Sequence, residues 1–111
     1  MPVDDPKRDF QSKLKSLKSA YARRLPEKAQ GLEALAMSLS SGGDDEHAWR
    51  LLEAEAHKLA GSAGSYGFPD IGVIARELEH LAQRRTEREL PSRDALNFIL
   101  EKLRKRIETI H

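Results

Sequence analysis

Apolar residues recur at three- and four-residue steps along most of the chain, which is the spacing of amphipathic helices. No segment alternates apolar and polar residues with the period of two that a half-buried strand requires. After a first helix around residues 10–21, Pro26 suits the first turn of a second helix that runs to about Leu39. Because the apolar phase continues through Leu25, a single helix kinked at Pro26 is the alternative. The first helix is predicted around residues 10–21, from the apolar positions Phe10, Leu14, Leu17 and Tyr21.

A third helix is predicted from about Asp44 to Ser65. Gly42–Gly43 break the preceding helix, and Asp44–Asp45 suit the N-cap and first turn of the next one. Gly67 is a candidate helix stop, which sets the other end. The buried stripe of this helix is predicted to consist of Ala48, Leu52, Ala56, Leu59 and Ala63.

Two more apolar stripes at helical spacing follow, one after Pro69 and one after Pro91–Ser92, with a polar loop over residues 83–90 between them. Together these elements predict an all-α fold. We expect an up-and-down antiparallel four-helix bundle with an additional N-terminal helix packed across it as a cap. A chain of 111 residues has room for one core, so residues 1–111 are expected to form a single domain. Residues 1–6 are expected to be a mobile tail.

Composition narrows the functional classes. The net charge of +1 lacks the basic excess of a nucleic-acid-binding protein. There is no cysteine, which excludes disulfides and thiolate metal sites. No apolar run approaches the roughly 18 residues that span a membrane, and the N-terminus lacks the apolar core of a signal peptide. We therefore expect a cytoplasmic protein with no membrane or nucleic-acid partner, and a monomer, since nothing in the sequence demands a dimer.

Residues 7–28 carry an excess of positive charge, with eight Lys and Arg residues against only two acids, Asp9 and Glu27. We interpret this excess as a solvated helix face, and it is also compatible with electrostatic steering of an acidic partner. The cations of this segment are Lys7, Arg8, Lys13, Lys15, Lys18, Arg23, Arg24 and Lys28.

His57 lies on the third helix, away from its apolar stripe. At about 100° per residue, His57 falls roughly 140–180° from the stripe centred on Leu52 and Leu59. Glycine inside a helix costs about 1 kcal/mol relative to alanine, so glycines beside an exposed histidine call for a reason. They remove side-chain bulk and let another protein's backbone approach the imidazole. The alternatives are close packing between helices and fraying of the helix end. The neighbours of His57 on this outer face are predicted to be Arg50, Glu53, Ala54, Ala60, Gly61 and Gly64.

The segment HKLAGSAGSYGF, which begins at His57, resembles the active-site block of histidine-containing phosphotransfer (Hpt) domains of two-component phosphorelays. That block has a histidine, an apolar residue two places on, a glycine four places on, small residues and a further glycine. Here these are His57, Leu59, Gly61, Ser62–Ser65 and Gly67, and the helical pattern agrees with the family over residues about 10–108. The block also resembles the phosphoacceptor domain of chemotaxis-type kinases.

The resemblance implies that His57 is phosphorylated and that the protein is a phosphoryl carrier rather than an enzyme. The implied partners are a response-regulator receiver domain, a histidine or hybrid kinase, or both. No cofactor is expected on this chain, because magnesium and the acidic pocket belong to the partner receiver domain. The starting Met1 favours a free-standing module over a domain excised from a longer protein.

One position departs from the family. A lysine often stands three residues after the histidine, where this chain has Ala60. The cations nearest to His57 in sequence are Lys58, about 100° around the helix, and Arg50. We predict that Lys58, Gly61, Gly64, Arg50, Ala54 and Ala60 contact the phosphoryl group or the partner. Because of the missing lysine, the alternative function is a helical adaptor that binds a receiver or kinase without chemistry.

Other candidate chemistry is weaker. Glu77 and His80 have the Glu-x-x-His spacing of di-iron bundles, but a second such motif is absent, so no metal site is predicted. Ser62 lies about 140° around the helix from His57, which does not suit a serine–histidine pair. Tyr66 and Phe68 are interpreted as core residues that close the bundle end, with an apolar rim for a partner as the alternative.

Overall fold

The computed structural model of the protein describes residues 6–40, 46–85 and 91–110. These residues contain no strand, and the all-α prediction is confirmed. The helices are α1 (Pro6–Ser40), α2 (Glu46–Ser65), α3 (Pro69–Gln83) and α4 (Arg93–Glu108).

The four helices form an antiparallel bundle, as predicted. α1 packs against α2 and α4, and α3 packs against the same two helices on the other side. The direction of α2 and α3 follows from their contacts, since Glu46 at the start of α2 meets Arg85 just after α3. Near the other end of the pair, Ala60 of α2 meets Gly72 of α3. α2 and α3 therefore form a helical hairpin with its turn between Ser65 and Pro69.

The core is aliphatic and holds the stripes that helical spacing predicts. The stripe of α2 is confirmed, because Ala48, Leu52, Ala56, Leu59 and Ala63 are all buried. No polar or charged residue is buried among those described. The largest fully buried side chains are Leu25, Leu52, Ile71, Leu78, Leu96 and Leu103.

The N-terminal segment differs from the expected capping helix, because residues 6–40 form one helix. Pro26 lies inside α1 and does not end it. The reason is the unbroken apolar phase: Tyr21, Leu25 and Ala29 are all buried, so one stripe passes straight through the proline. The first half of α1 is thus in line with the second half instead of lying across the bundle. Phe10, Leu14 and Leu17 are consequently exposed, at 64%, 49% and 52%.

Three boundary predictions fall wholly or partly outside the described residues. The predicted loop over residues 83–90 does so for residues 86–90, and α3 is described to Gln83. The expected tail 1–6 does so except for Pro6, where α1 begins. The expected start of the third helix at Asp44–Asp45 lies outside the described residues, and this helix, α2, is described from Glu46. None of the helices in the described ranges is long and apolar enough to cross a membrane.

Gly67 ends α2 as predicted. It has a φ of 90°, a conformation that L side chains rarely adopt. The amide of Gly67 donates to the carbonyl of Gly64 (3.3 Å), and that of Phe68 donates to Ala63 (2.8 Å). This pair of bonds is the Schellman motif, which satisfies the last carbonyls of a helix. It fixes where α3 begins, and so which α3 residues come level with His57.

Aromatic side chains close the bundle at this turn. Phe68 is buried, in agreement with the core interpretation, whereas Tyr66 is 39% exposed. The rings of Tyr66 and Tyr21 stack at 4.6 Å between centroids. Tyr21 also shares a 2.6 Å hydrogen bond with the hydroxyl of Ser62, which ties α1 to the end of α2.

Candidate functional site

An exposed stripe runs along α2 opposite its buried one. The side chain of His57 is 74% exposed, so the histidine faces solvent and not the core. The spacing of the stripe is that of one helix face, and its members are Arg50, Ala54, His57, Gly61 and Gly64, all exposed.

His57 is oriented by a carboxylate from α3. Its Nδ1 lies 2.6 Å from Oε2 of Glu79, whose side chain is only 13% exposed. An ionised carboxylate only accepts hydrogen bonds, so Nδ1 carries the proton in this contact. In the neutral ring, the lone pair is then on Nε2, the nitrogen that Glu79 leaves open. The pair thus presents one nucleophilic nitrogen in a fixed orientation.

A close crossing of α2 and α3 brings Glu79 within reach. A Cβ placed on Gly72 would lie 3.0 Å from the backbone oxygen of Ala60, which is tighter than nine in ten real Cβ contacts. Gly72 is therefore required for the approach of the two helices. Ala60, predicted on the outer face, is only 7% exposed, because α3 covers it at this crossing.

The crossing leaves a shallow depression beside the imidazole, which we call the α2–α3 groove. It brings Gly61 of the predicted site together with side chains from α3 that the sequence prediction did not include. Both Arg76 and His80 extend from α3. Arg76 lies one turn before Glu79, and His80 directly follows Glu79. The groove is lined by His57, Ala60, Gly61, Arg76, Glu79 and His80.

Gly61 and Gly64 leave open space next to the histidine. A Cβ on either residue would have no heavy atom within 4 Å. Neither glycine is required for packing within the described chain, in contrast with Gly72. Of the alternatives that the sequence left open, close packing between helices applies to Gly72, whereas Gly61 and Gly64 keep the surface low around the imidazole.

Lys58 lies on the other side of α2, in a second depression that we call the α1–α2 groove. There its Nζ is 3.3 Å from Oε1 of Glu55, one turn earlier on the same helix. The structure does not bring Lys58 into the α2–α3 groove with His57. The α1–α2 groove is lined by Arg24, Glu27, Lys28, Gly31, Leu32, Leu35, Glu55, Lys58 and Leu59.

The far end of the α2–α3 pair is held by Arg85. Its guanidinium donates to Glu46 (2.9 Å and 3.2 Å) and to Glu53 (2.9 Å) on α2, and to the carbonyl of Ala82 (2.7 Å). The hydrogen bond from Arg85 holds the pKa of Glu46 below its ordinary value. This clamp and the Gly72 crossing fix the register of α3 against α2, and with it the position of Glu79.

The side chains of the weaker candidate sites, Glu77 and Ser62, are engaged in hydrogen bonds within the bundle. Glu77 accepts a 2.6 Å hydrogen bond from Lys102 of α4. Ser62 bonds Tyr21, and the hydroxyl of Ser65 donates to the carbonyl of Gly61 at 3.2 Å. Within residues 6–40, 46–85 and 91–110, no cluster of three acidic, histidine or cysteine side chains is placed to hold a metal ion.

Sequence reasoning missed Glu79, Arg76 and Gly72 as parts of the site. It searched for partners along α2, whereas these residues reach His57 from α3. A usable signal was present, because a helical hairpin brings level the residues at similar distances before and after its turn. With the turn at Gly67, His57 comes level with the second half of α3, where Arg76, Glu79 and His80 stand.

A family model described as the Hpt domain matches residues 16–111. This match includes the whole of α2, α3 and α4, and with them both sides of the α2–α3 groove. No curated protein and no solved structure matches the chain.

Proposed function

The chain belongs to the Hpt domain family, and from this premise we propose that His57 accepts and donates the phosphoryl group of a two-component phosphorelay. The observation that supports this role most strongly is the contact between Nδ1 of His57 and Glu79, on a ring that is 74% exposed. It combines an oriented nucleophile with open access, and phosphoryl transfer depends mainly on positioning.

The transfer step assigns a role to each nitrogen. Nε2 of His57 attacks the phosphorus of an acyl phosphate on a receiver aspartate, and a P–N bond forms. The P–O bond to the aspartate breaks, and the carboxylate leaves with the electron pair. The proton on Nδ1 stays in its hydrogen bond with Glu79, where the carboxylate stabilises the positive charge that the ring acquires. The reverse sequence returns the phosphoryl group to a receiver.

The partner is proposed to complete the site. The chain offers no acidic cluster for a metal ion among its described residues, and magnesium chemistry is assigned to the receiver domain. The low surface at Gly61 and Gly64 gives the partner's backbone room to reach Nε2. The exposed residues Arg50 and Ala54 extend the same face along α2 and are proposed to contact the partner.

The second candidate function is an adaptor that binds a receiver or kinase without phosphorylation. The observation that favours it is Ala60, an uncharged and buried residue at the place of the family's lysine. An adaptor needs the face of α2 but not the tautomer of His57. The two functions therefore differ in what happens when the imidazole alone is removed.

A phosphorylation assay tests the proposal and separates the two candidates. The chain and its His57→Gln variant are incubated with phosphorylated receiver domains and with histidine kinases from the same genome. We expect acid-labile, base-stable phosphate on the wild type and none on His57→Gln. Absence of label from every donor, with binding to a receiver that survives His57→Gln, would overturn the carrier role in favour of the adaptor.

A further inference from the structure

Phosphorylation places two negative charges on the exposed face of α2, and the helix itself supplies no cation to meet them. The place of the family's lysine is taken by Ala60, which is buried under α3. Lys58 lies in the α1–α2 groove and is paired with Glu55. Arg50 stands two turns before His57, and helix side chains lean toward the N-terminus, so Arg50 points away from the imidazole.

Arg76 of α3 lies beside His57 in the α2–α3 groove. Arg76 stands one turn after Gly72, which meets Ala60, and one turn before Glu79, which meets His57, so it lies between these two contacts along the groove. Arg76 is exposed, and it lines the α2–α3 groove together with His57 and Gly61. It thus enters the groove from the neighbouring helix, between His57 and Ala60, the place of the family's lysine.

Arg76 is also unengaged, in contrast with Lys58, Arg85 and Lys102. No ion pair joins it to an acid in the parts of the chain that the structure describes. Arg85 is held by Glu46 and Glu53, and Lys102 is held by Glu77. A cation left without an acid beside a nucleophile is available for an incoming anion.

We propose that the guanidinium of Arg76 binds the phosphoryl oxygens carried on Nε2 of His57, in place of the lysine that the chain lacks on α2. This inference rests on the proposed carrier function. A guanidinium offers parallel N–H donors that match two phosphoryl oxygens, and the open surface at Gly61 leaves room for that geometry. The Glu79 carboxylate then neutralises the imidazolium, and the Arg76 guanidinium neutralises the phosphoryl group.

The test loads His57 without any relay partner. Phosphoramidate transfers its phosphoryl group to imidazole nitrogen, its own P–N bond breaks, and ammonia leaves. The phosphohistidine resonance is followed by ³¹P NMR and assigned as the one absent from His57→Gln. Its shift is titrated with pH in the wild type, Arg76→Gln, Arg76→Lys and Lys58→Gln, the last being a matched loss of one positive charge on the other side of α2.

A nearby cation favours the dianionic phosphoryl group, so its removal raises the midpoint of this titration. We expect a rise of about half a pH unit in Arg76→Gln, a smaller one in Arg76→Lys, and no shift in Lys58→Gln. His80 and Glu79 face the same groove and are present in all four proteins, so their effects cancel in the comparison.

Equal midpoints in the wild type and Arg76→Gln would overturn the role of Arg76, even if the relay assay labels His57. A shift as large in Lys58→Gln would overturn it too, since the effect would then be one of net charge. Conversely, a shift specific to Arg76→Gln in a chain that no relay donor labels would overturn the proposed carrier function alone. The folding of each variant is checked by circular dichroism and thermal unfolding.

Discussion

The α2–α3 groove and the α1–α2 groove lie on the two sides of the same helix, and they differ in how their charges are arranged. In the α1–α2 groove, Lys58 is paired with Glu55, and Lys28 lies over the ring of Tyr21. In the α2–α3 groove, the acid Glu79 is engaged with His57, and Arg76 has no acidic partner among the described residues. In the first groove the lysine next to His57 in sequence is already paired, whereas in the second the arginine beside His57 is open to an anion. The difference teaches that the number of cations near a histidine matters less than which of them are already neutralised.

The glycines that line the two grooves have a different role from the glycine at the crossing of α2 and α3. Gly31 in the α1–α2 groove and Gly61 in the α2–α3 groove both sit in open space. Gly72, by contrast, lies where α2 and α3 nearly touch. A partner's access, the crossing of the helices and the orientation of the imidazole therefore depend on separate residues, which can be changed one at a time.

The largest effect is expected from His57 itself. His57→Gln removes the only nucleophile in the α2–α3 groove that Glu79 orients, so phosphoryl uptake from any relay donor should be abolished. Because the side chain is 74% exposed, stability should be unchanged. Radiolabel transfer and urea unfolding, run on the same preparation, check both statements. Label that persists on His57→Gln would move the site to another residue.

Gly61→Gln is expected to reduce transfer from a receiver by about a hundredfold, because a long side chain beside Nε2 displaces the incoming phosphorus from its line of attack. Gly31→Gln is the matched control, since it is the same change at an exposed helical glycine of the opposite groove. Neither change creates a clash at Cβ, and each is expected to raise stability by about 1 kcal/mol through helix propensity. Equal transfer rates for Gly61→Gln and Gly31→Gln would contradict a partner approach over Gly61.

Glu79→Ala should slow transfer by about tenfold, because the ring loses both its orientation and its charge partner. Nitrogen-15 NMR of the imidazole gives a direct view of the cause. We expect the wild type to hold the proton on Nδ1 at neutral pH, and Glu79→Ala to lose that preference. Identical tautomer populations in the two proteins would contradict the role of Glu79 in orienting the His57 ring.

Gly72→Val is expected to destabilise the bundle by about 2 kcal/mol, since the new side chain meets the backbone of Ala60. Gly64→Val, at a position with no neighbour within 4 Å of the added Cβ, is the control that shows the effect of valine on helix stability without a clash. Chemical denaturation of both variants provides the comparison. Equal losses would mean that the crossing of α2 and α3 tolerates a side chain.

The smallest effect concerns the Arg85 clamp. The pKa of Glu46 is lowered in the folded state by its hydrogen bond from Arg85, so this contribution to stability is present above the ordinary carboxyl value of 4.5. It is lost as the pH falls through the lowered value. The wild type should therefore exceed Arg85→Gln in stability at pH 7, and the difference should narrow at pH 3. A constant difference across this range would show that Arg85 acts through packing alone.

The bundle was predictable because its signals are local. The stripes of α2, α3 and α4, the stop at Gly67 and the exposure of His57 all follow from helical spacing and glycine conformation. The N-terminal helix was harder, because Pro26 is compatible with either a break or a continuous helix, and the unbroken stripe of Tyr21, Leu25 and Ala29 decided for continuity.

The α3 half of the site could not be read in the same way. Helical periodicity assigns residues to faces of one helix, but the contact of His57 with Glu79 depends on the register between two helices. That register is set by Gly72 and by the clamp at Arg85, neither of which belongs to the sequence block around the histidine. Lys58, adjacent to His57 in sequence, lies in the opposite groove because successive residues of a helix point about 100° apart.

The most direct test of the central claim is NMR of the chain phosphorylated by a relay donor. Phosphorus–nitrogen coupling identifies the modified nitrogen, and amide shifts show which groove responds. We predict phosphate on Nε2 of His57, with the largest shifts at Gly61, Arg76 and Glu79 and little change at Gly31 and Lys58. Phosphate on Nδ1 or on another histidine, or a response centred on the α1–α2 groove, would contradict the account.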